Sequence, residues 1–182
     1  MEEKEKKIVA VFGSSEPDES DALFMTALEL GKLFGASGFN VCTGGYGGVM
    51  EAASRGARES GSEVIGVTVD MFSWRGPNKY ITIHHHEKDL YLRTKRLIDI
   101  SDGFVILPGK SGTLSELTFL WALHRAGILG KKPIILLGKV WDSFLKALSE
   151  NDLIETQELE ATKIVRTPHE AVAEMEKSLY NI

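Results

Sequence analysis

Short apolar runs alternate with longer amphipathic segments along almost the whole chain, and this alternation restricts the fold more than any other feature of the sequence. The runs at residues 7–12, 64–69 and 103–107 are largely apolar, as in strands that are buried on both faces of a parallel sheet. Segments between such runs, for example residues 18–34, repeat apolar side chains at helical spacing. Strands that alternate with helices are typical of βα units rather than of hairpins. The pattern therefore predicts an α/β protein.

The length of the chain allows one such domain. Its 182 residues can bury one good core but are too few for two typical domains. We predict a single Rossmann-like domain over residues 1–182, a doubly wound three-layer sandwich with a mainly parallel sheet, in which residues 1–6 are a disordered lead-in. The predicted strands are residues 7–12, 39–43, 64–69, 81–86, 103–107, 133–137 and 164–165. The predicted helices are residues 18–34, 49–60, 89–100, 113–126, 141–149 and 168–179.

Charge and composition exclude several classes of partner. The formal net charge of -5 argues against a protein that holds a nucleic-acid backbone, so a small molecule is the expected partner. Cys42 is the single cysteine, which rules out an intramolecular disulfide and points to a reducing compartment. No apolar run approaches the roughly 20 residues that span a bilayer, and no signal peptide is readable. We therefore expect a cytoplasmic protein without membrane contact.

Glycine and hydroxyl residues follow three of the predicted strands, at residues 13–15, 44–48 and 109–113. In open parallel sheets, ligands bind beyond the carboxyl ends of the strands, where the strand order reverses. The segment 109–113 reads Gly-Lys-Ser-Gly-Thr and precedes a predicted helix, whose free N–H groups and positive dipole end favour an anion. We therefore predict a phosphate site there, with a capped tight turn as the plainer alternative.

The spacing leaves the role of Glu116 open. Glu116 stands three residues after Thr113, which is the pattern of a capping box that closes a helix start. The glycines of residues 44–48 are equally ambiguous, because they do not form the G-x-G-x-x-G fingerprint and also fit a tight βα turn.

Taken together, these segments resemble the LONELY GUY (LOG) family, whose members are often labelled "possible lysine decarboxylase". The hallmark of that family is Pro-Gly-Gly-x-Gly-Thr-x-x-Glu, and residues 108–116 read Pro-Gly-Lys-Ser-Gly-Thr-Leu-Ser-Glu. Residues 43–50 read Thr-Gly-Gly-Tyr-Gly-Gly-Val-Met, and Arg93 precedes Ser-Asp-Gly-Phe at residues 101–104. The likeness extends over residues 9–137, which is most of the domain.

The resemblance implies a nucleotide-binding enzyme that hydrolyses the N-glycosidic bond of nucleoside 5′-monophosphates to a base and ribose 5-phosphate. Arg93 and Glu116 match the catalytic positions of the family; without the resemblance, Arg93 would read as a solvated helix arginine. The implied ligand is AMP-like, no cofactor is required, and pyridoxal phosphate is not expected because no suitable Schiff-base lysine is identifiable. The implied phosphate- and nucleotide-binding residues are Gly13, Ser14, Ser15, Gly44, Gly45, Gly47, Gly48, Met50, Gly109, Lys110, Ser111, Gly112 and Thr113.

Two departures from the family pattern keep a second function open. Lys110 stands where the hallmark has its second glycine, and the usual Arg-Lys pair reads Arg93-Thr94. The glycine segment near the amino terminus is also similar to that of molybdenum-cofactor carrier proteins, which bind a phosphorylated pterin without hydrolysing it. A non-catalytic carrier of a nucleotide or a molybdopterin-type cofactor is therefore the alternative to a hydrolase.

Three other features have lesser functional interpretations. His84 and His86 share one face of a predicted strand, for which a polar strand end is a better account than a metal site. The helix at residues 113–126 is apolar all round, which is typical of a buried helix at a subunit interface and predicts a homodimer or homotetramer. In the aperiodic segment 71–80, a candidate lid, Trp74 and Arg75 offer stacking and charge to a ligand.

Overall fold

A computed structural model describes residues 6–180 and contains seven strands and seven α-helices within that range. The prediction of a disordered lead-in concerns residues of which all but Lys6 lie outside the described range. The strands are β1 Ile8–Phe12, β2 Asn40–Thr43, β3 Val64–Val69, β4 Ile83–Glu87, β5 Gly103–Ile106, β6 Ile134–Leu137 and β7 Thr162–Val165. The helices are α1 Ala22–Ala36, α2 Val49–Glu59, α3 Leu90–Ile100, α4 Ser111–Arg125, α5 Val140–Glu150, α6 Thr156–Glu160 and α7 Pro168–Tyr180.

The seven strands form one sheet in the order β4-β3-β2-β1-β5-β6-β7. All six pairings between neighbouring strands are parallel, with Val9 opposite Val41 on one side of β1 and opposite Gly103 on the other. The strand order therefore reverses between β1 and β5, which is where the carboxyl ends of a doubly wound sheet leave a crevice for a ligand. The predicted Rossmann-like α/β fold is confirmed.

Side chains of β1 alternate between two apolar cores. Val9 and Val11 pack with α1, α2 and α7, whereas Ala10 and Phe12 pack with α3, α4 and α5. None of these four side chains is more than 2% exposed. Because successive strand residues point to opposite faces, continuous burial along β1 means that helices cover both faces of the sheet. This is the three-layer arrangement that the apolar runs predict.

Besides shifts of up to four residues at the ends of other elements, the largest at the start of α1, three elements differ from the sequence prediction. The aperiodic segment 71–80, for which the sequence predicts no helix or strand, overlaps a 3-10 helix at Asp70–Arg75, a short element that leaves no apolar period. The five-residue helix α6 was not predicted; it buries no side chain and is held by a capping box between Glu155 and Glu158. Helix α4 begins at Ser111, two residues before the predicted start, and this shift decides the role of Glu116.

In the part of the chain that the structure describes, no helix is long and apolar enough to cross a membrane. A location in the cytoplasm stays a prediction.

Candidate functional site

A cavity of about 320 Å³ opens at the carboxyl ends of β1, β2 and β5. All three predicted glycine and hydroxyl segments contribute to it, together with the 3-10 helix. The predicted residues that line it are Gly13, Ser14, Ser15, Gly44, Met50, Arg93, Lys110, Ser111, Gly112, Thr113 and Glu116. Arg75, which the sequence analysis named as a ligand contact, lines the cavity as well. The lining residues that the sequence analysis did not name are Val11, Phe12, Glu16, Tyr46 and Phe72.

The remaining predicted glycines, Gly45, Gly47, Gly48 and Gly109, shape the loops around the cavity rather than line it. Gly48 has a φ of 68° and its backbone lies against the loop at Ser14, where a Cβ would overlap main-chain atoms. The N–H of Val49 donates to the carbonyl oxygen of Ser14 at 2.9 Å, which holds the β1 loop on the start of α2. Such a close approach with a positive φ requires glycine.

The amino terminus of α4 forms the anion-favouring end of the cavity. Lys110 is the N-cap residue, and its side chain makes no capping hydrogen bond. Ser111, Gly112 and Thr113 form the first turn, whose N–H groups have no acceptor within the helix. The space in front of Gly112 is open, since a Cβ there would meet no atom within 4 Å. The helix dipole and the free N–H groups together suit a phosphate.

Glu116 lies in the second turn of α4 and faces the cavity. A capping box from Thr113 would require the helix to begin after Thr113, so the start at Ser111 removes the capping interpretation. The Glu116 side chain is 13% exposed, and its Oε1 lies 3.8 Å from Nη1 of Arg93. Burial raises the pKa of Glu116 to about 7, although the charge of Arg93 lowers it in part. A carboxyl group with this pKa can exchange a proton near neutral pH.

Arg93 is fixed from several sides in the floor of the site. It is 7% exposed; its Nε donates to the carbonyl oxygen of Val67 at 2.8 Å, and its Nη2 donates to that of Gly44 at 3.2 Å. The ring of Tyr46 lies 5.7 Å from the guanidinium carbon. These contacts leave Nη1 directed at Glu116. The interpretation of Arg93 as a solvated helix residue is therefore wrong.

Tyr46, which the site prediction missed, connects the glycine turn to β3. Its hydroxyl donates to the carbonyl oxygen of Val69 at 3.1 Å and accepts from the N–H of Val69 at 2.9 Å. Its ring also meets the ring of Phe72 edge-on at 5.8 Å. Tyr46 thus holds the end of β3 and the 3-10 helix beside Arg93. An aromatic residue within a run of glycines was the signal for it in the sequence.

Gly44 lies so close to Arg93 that a Cβ there would overlap the guanidinium. We expect Gly44→Ala to displace Arg93 and to lower the free energy of unfolding by about 1–3 kcal/mol, as overpacking of a core does. Urea denaturation measures this change. Gly47→Ala is the matched control, because a Cβ at Gly47 would have no neighbour nearer than 3.8 Å. Equal stability of the two variants would contradict the proposed tight fit of Arg93 on the turn.

Charged residues stand at the mouth of the cavity. Nζ of Lys110 lies 2.7 Å from the Glu16 carboxylate. Nη1 of Arg75 lies 3.5 Å from Oγ of Ser15, and the Arg75 guanidinium carbon is 4.8 Å from the Trp74 ring centre. Trp74 itself is 74% exposed and does not line the cavity. Of the two residues predicted to meet a ligand from this segment, the structure therefore brings Arg75 to the site.

The histidines of β4 lie outside the cavity. Oγ1 of Thr68 lies 2.7 Å from Nε2 of His84 and 2.8 Å from Nδ1 of His86, and Nε2 of His86 lies 2.5 Å from Oδ1 of Asp70. Among residues 6–180, no group of three or more His, Cys, Asp or Glu side chains is placed to hold a metal ion. These contacts fit the interpretation as a polar strand end.

The fold and the site define a Rossmann-like protein with a cavity at the switch point of a parallel sheet, next to a buried arginine and glutamate. Residues 50–175 match the model of the family described as "possible lysine decarboxylase", and the chain belongs to that family. The resemblance to LOG proteins that the motif at residues 108–116 indicates is confirmed.

Named relatives are of two kinds. The chain is 31% identical to the cytokinin riboside 5′-monophosphate phosphoribohydrolase of Mycobacterium tuberculosis, over 87% of this chain and 84% of that protein. It is 27% identical to the pyrimidine/purine nucleotide 5′-monophosphate nucleosidase of Escherichia coli, over 94% of this chain but 40% of that protein. The structure of the molybdenum cofactor carrier protein of Chlamydomonas reinhardtii is similar, with 25% identity, a TM-score of 0.73, and coverage of 96% of this chain and 99% of that one.

Proposed function

We propose that the protein hydrolyses the N-glycosidic bond of nucleoside 5′-monophosphates and releases a free base and ribose 5-phosphate. The observation that carries this proposal is the pair of Glu116 and Arg93: a carboxyl group with a pKa of about 7 lies 3.8 Å from a buried guanidinium, in the cavity that the α4 amino terminus closes. The relatives from M. tuberculosis and E. coli, a phosphoribohydrolase and a nucleosidase of nucleotide 5′-monophosphates by name, support the same reaction.

The proposed reaction uses two parts of the cavity, the first turn of α4 and the side chain of Glu116. The 5′-phosphate binds the N–H groups of the first turn of α4, which directs the ribose towards Glu116, one turn further along the helix. Water attacks C1′ as the bond from C1′ to the base nitrogen breaks. The Glu116 carboxylate accepts a proton from the attacking water, and this proton finally reaches the leaving base. The negative charge of the carboxylate also stabilises the oxocarbenium-like transition state. Arg93 orients Glu116 through the contact at Nη1.

The site does not fit a pyridoxal phosphate enzyme. Lys110 is the only lysine among the residues that line the cavity. It is 74% exposed and paired with Glu16, whereas a Schiff-base lysine needs a setting that keeps its amine neutral. We infer that the hydrolysis requires no cofactor and that the decarboxylase in the family's description does not apply to this chain.

A second candidate function is that of a non-catalytic carrier for a nucleotide or a molybdopterin-type cofactor. The observation that favours it is Lys110, which replaces a glycine of the hydrolase hallmark at the phosphate end of the cavity. The similarity to the Chlamydomonas carrier protein supports it as well. Such a carrier would use the same phosphate-binding turn and would not need Glu116.

Incubation of the protein with AMP and other nucleoside monophosphates separates the two candidates. The hydrolase releases base and ribose 5-phosphate in equal amounts, as measured by chromatography and a reducing-sugar assay. A wild-type protein that releases neither product, although AMP raises its melting temperature, would exclude the hydrolase and support the carrier.

We also propose that the chain assembles into a homodimer or homotetramer through α3 and α4. On α3, Tyr91 is 63% exposed, and its ring contacts that of Phe119 on α4 at 6.2 Å. The sequence predicts that helix α4 is buried all round. Within one chain it is buried on one side only: Leu117 and Trp121 are buried, while Ala122 is exposed. An apolar surface that crosses two helices is typical of an interface.

Light scattering after size-exclusion chromatography tests this assembly. We expect the wild type to elute as a dimer or tetramer and Tyr91→Glu to shift the population to monomer, because a buried unpaired carboxylate destabilises an interface. Leu153→Glu, at an apolar position that is 70% exposed and outside α3 and α4, is the control. A monomeric wild type would contradict the proposal.

A further inference from the structure

A carboxylate occupies the phosphate end of the cavity. Glu16 and Lys110 both line it, and their side chains, 62% and 74% exposed, form an ion pair of 2.7 Å between the β1–α1 loop and the start of α4. The N–H of Glu16 donates to Oγ of Ser14 at 3.2 Å, which keeps Glu16 within the predicted binding loop. Glu16 thus brings a negative charge to a place where the helix dipole favours an anionic ligand.

The pair leaves Lys110 available to a ligand. Ion pairs between exposed side chains contribute little to stability, so the pair breaks readily. A phosphate at the first-turn N–H groups of residues 111–113 carries close to two negative charges at neutral pH and attracts an ammonium group more strongly than one carboxylate does. Glu16 and the phosphate therefore compete for the same lysine, while the buried Arg93 stays with Glu116 deeper in the cavity.

We infer that Lys110 is a specificity-determining residue that selects phosphate monoesters, and that Glu16 holds it in the absence of ligand and opposes any anion that cannot displace the carboxylate. This inference rests on the proposed phosphate position but applies to a hydrolase and to a carrier alike. A dianionic phosphate monoester gains binding free energy when it replaces the Glu16 carboxylate as the partner of Lys110. A singly charged phosphodiester only replaces the single negative charge of Glu16 beside Lys110, so it gains little binding free energy. An uncharged nucleoside gains none from Lys110.

The alternative is that the pair only braces two loops. The two explanations predict opposite effects for Glu16. Competition predicts that loss of the Glu16 charge strengthens phosphate binding, whereas a brace predicts that loss of either partner weakens it and lowers the melting temperature.

Calorimetric titration tests the inference in a Glu116→Gln background, which prevents turnover, with AMP, adenosine 5′-methyl phosphate and adenosine as probes. We expect Lys110→Met to weaken AMP binding by about tenfold and the methyl ester by less, and to leave adenosine unchanged. We expect Glu16→Gln to tighten AMP binding by about threefold. Lys110→Arg should retain the preference for AMP. Lys146→Met, which removes the partner of Glu150 on α5, is the control for loss of an exposed charge and should change no affinity.

Weaker AMP binding in both Glu16→Gln and Lys110→Met would overturn the inference in favour of a brace. An unchanged ratio of AMP to methyl ester affinity in Lys110→Met would overturn it as well. Neither result bears on hydrolysis, which is measured separately with Glu116 intact. Conversely, a protein that never releases base but shows the expected opposite shifts would refute the proposed hydrolase and retain the role of Lys110.

Discussion

Glu116→Gln is expected to lower the rate of base release from AMP at pH 8 by about 10²- to 10⁴-fold, the usual contribution of a positioned acid or base. Glutamine has the same size as glutamate and fits the same largely buried position. It can neither accept a proton from water nor balance the positive charge of an oxocarbenium ion. The measurement is product release under single turnover, together with the dissociation constant of AMP. Because the proposed phosphate position is the start of α4, away from Glu116, we expect AMP affinity to change much less than the rate.

The control and the pH profile make this prediction specific. Glu51→Gln alters a glutamate on α2 that does not line the cavity and should leave the rate within about twofold. In the wild type, kcat/KM should rise with pH through about 7, since both roles of Glu116 need the ionised carboxylate and its pKa is near 7. A rate that falls above pH 7 would instead make Glu116 the acid that protonates the base. Equal rates for Glu116→Gln and wild type would remove Glu116 from the mechanism.

The sheet could be predicted because its signal is local. Val9 and Val11 on one face of β1 and Ala10 and Phe12 on the other are all buried, so the strand reads as one apolar run. A parallel sheet built from such runs needs helical crossovers, and its binding crevice lies at the strand ends. The glycine and hydroxyl segments at those ends could be located for the same reason.

The remaining features depend on contacts between distant segments. The start of α4 at Ser111 rather than Thr113 leaves no mark in the helical period, yet it decides whether Glu116 caps the helix or faces the cavity. The 3-10 helix that brings Arg75 to the cavity has no periodic pattern, so the sequence named Arg75 as a ligand contact without predicting this element. The inferred role of Glu16 depends on its ion pair with Lys110, which is 94 residues away in sequence. The spacing of residues within one segment cannot reveal contacts between distant segments. Of the pairs that meet in the cavity, the family resemblance indicated only Arg93 and Glu116.

The stability of the ligand-free protein should depend on pH through Glu116. Burial raises the pKa of Glu116 to about 7 from an ordinary value of 4.5. Below pH 4.5 the group is protonated in the folded and unfolded states alike, and its contribution is fully present. As the pH rises from 4.5 to 7, the unfolded chain releases the proton before the folded one does, so the folded state loses stability. Above pH 7 the loss is complete and amounts to about 3 kcal/mol.

Glu116→Gln removes this titration, because an amide stays neutral at every pH. We expect the free energy of unfolding of the variant, minus that of the wild type, to increase by about 3 kcal/mol between pH 4.5 and pH 8. Urea denaturation of both proteins at half-unit pH steps measures the difference, and groups that titrate in both proteins cancel. A difference that stays flat over this range would place the pKa of Glu116 near its ordinary value. The charge of Arg93 would then offset the effect of burial, and Glu116 would be ionised throughout the neutral range.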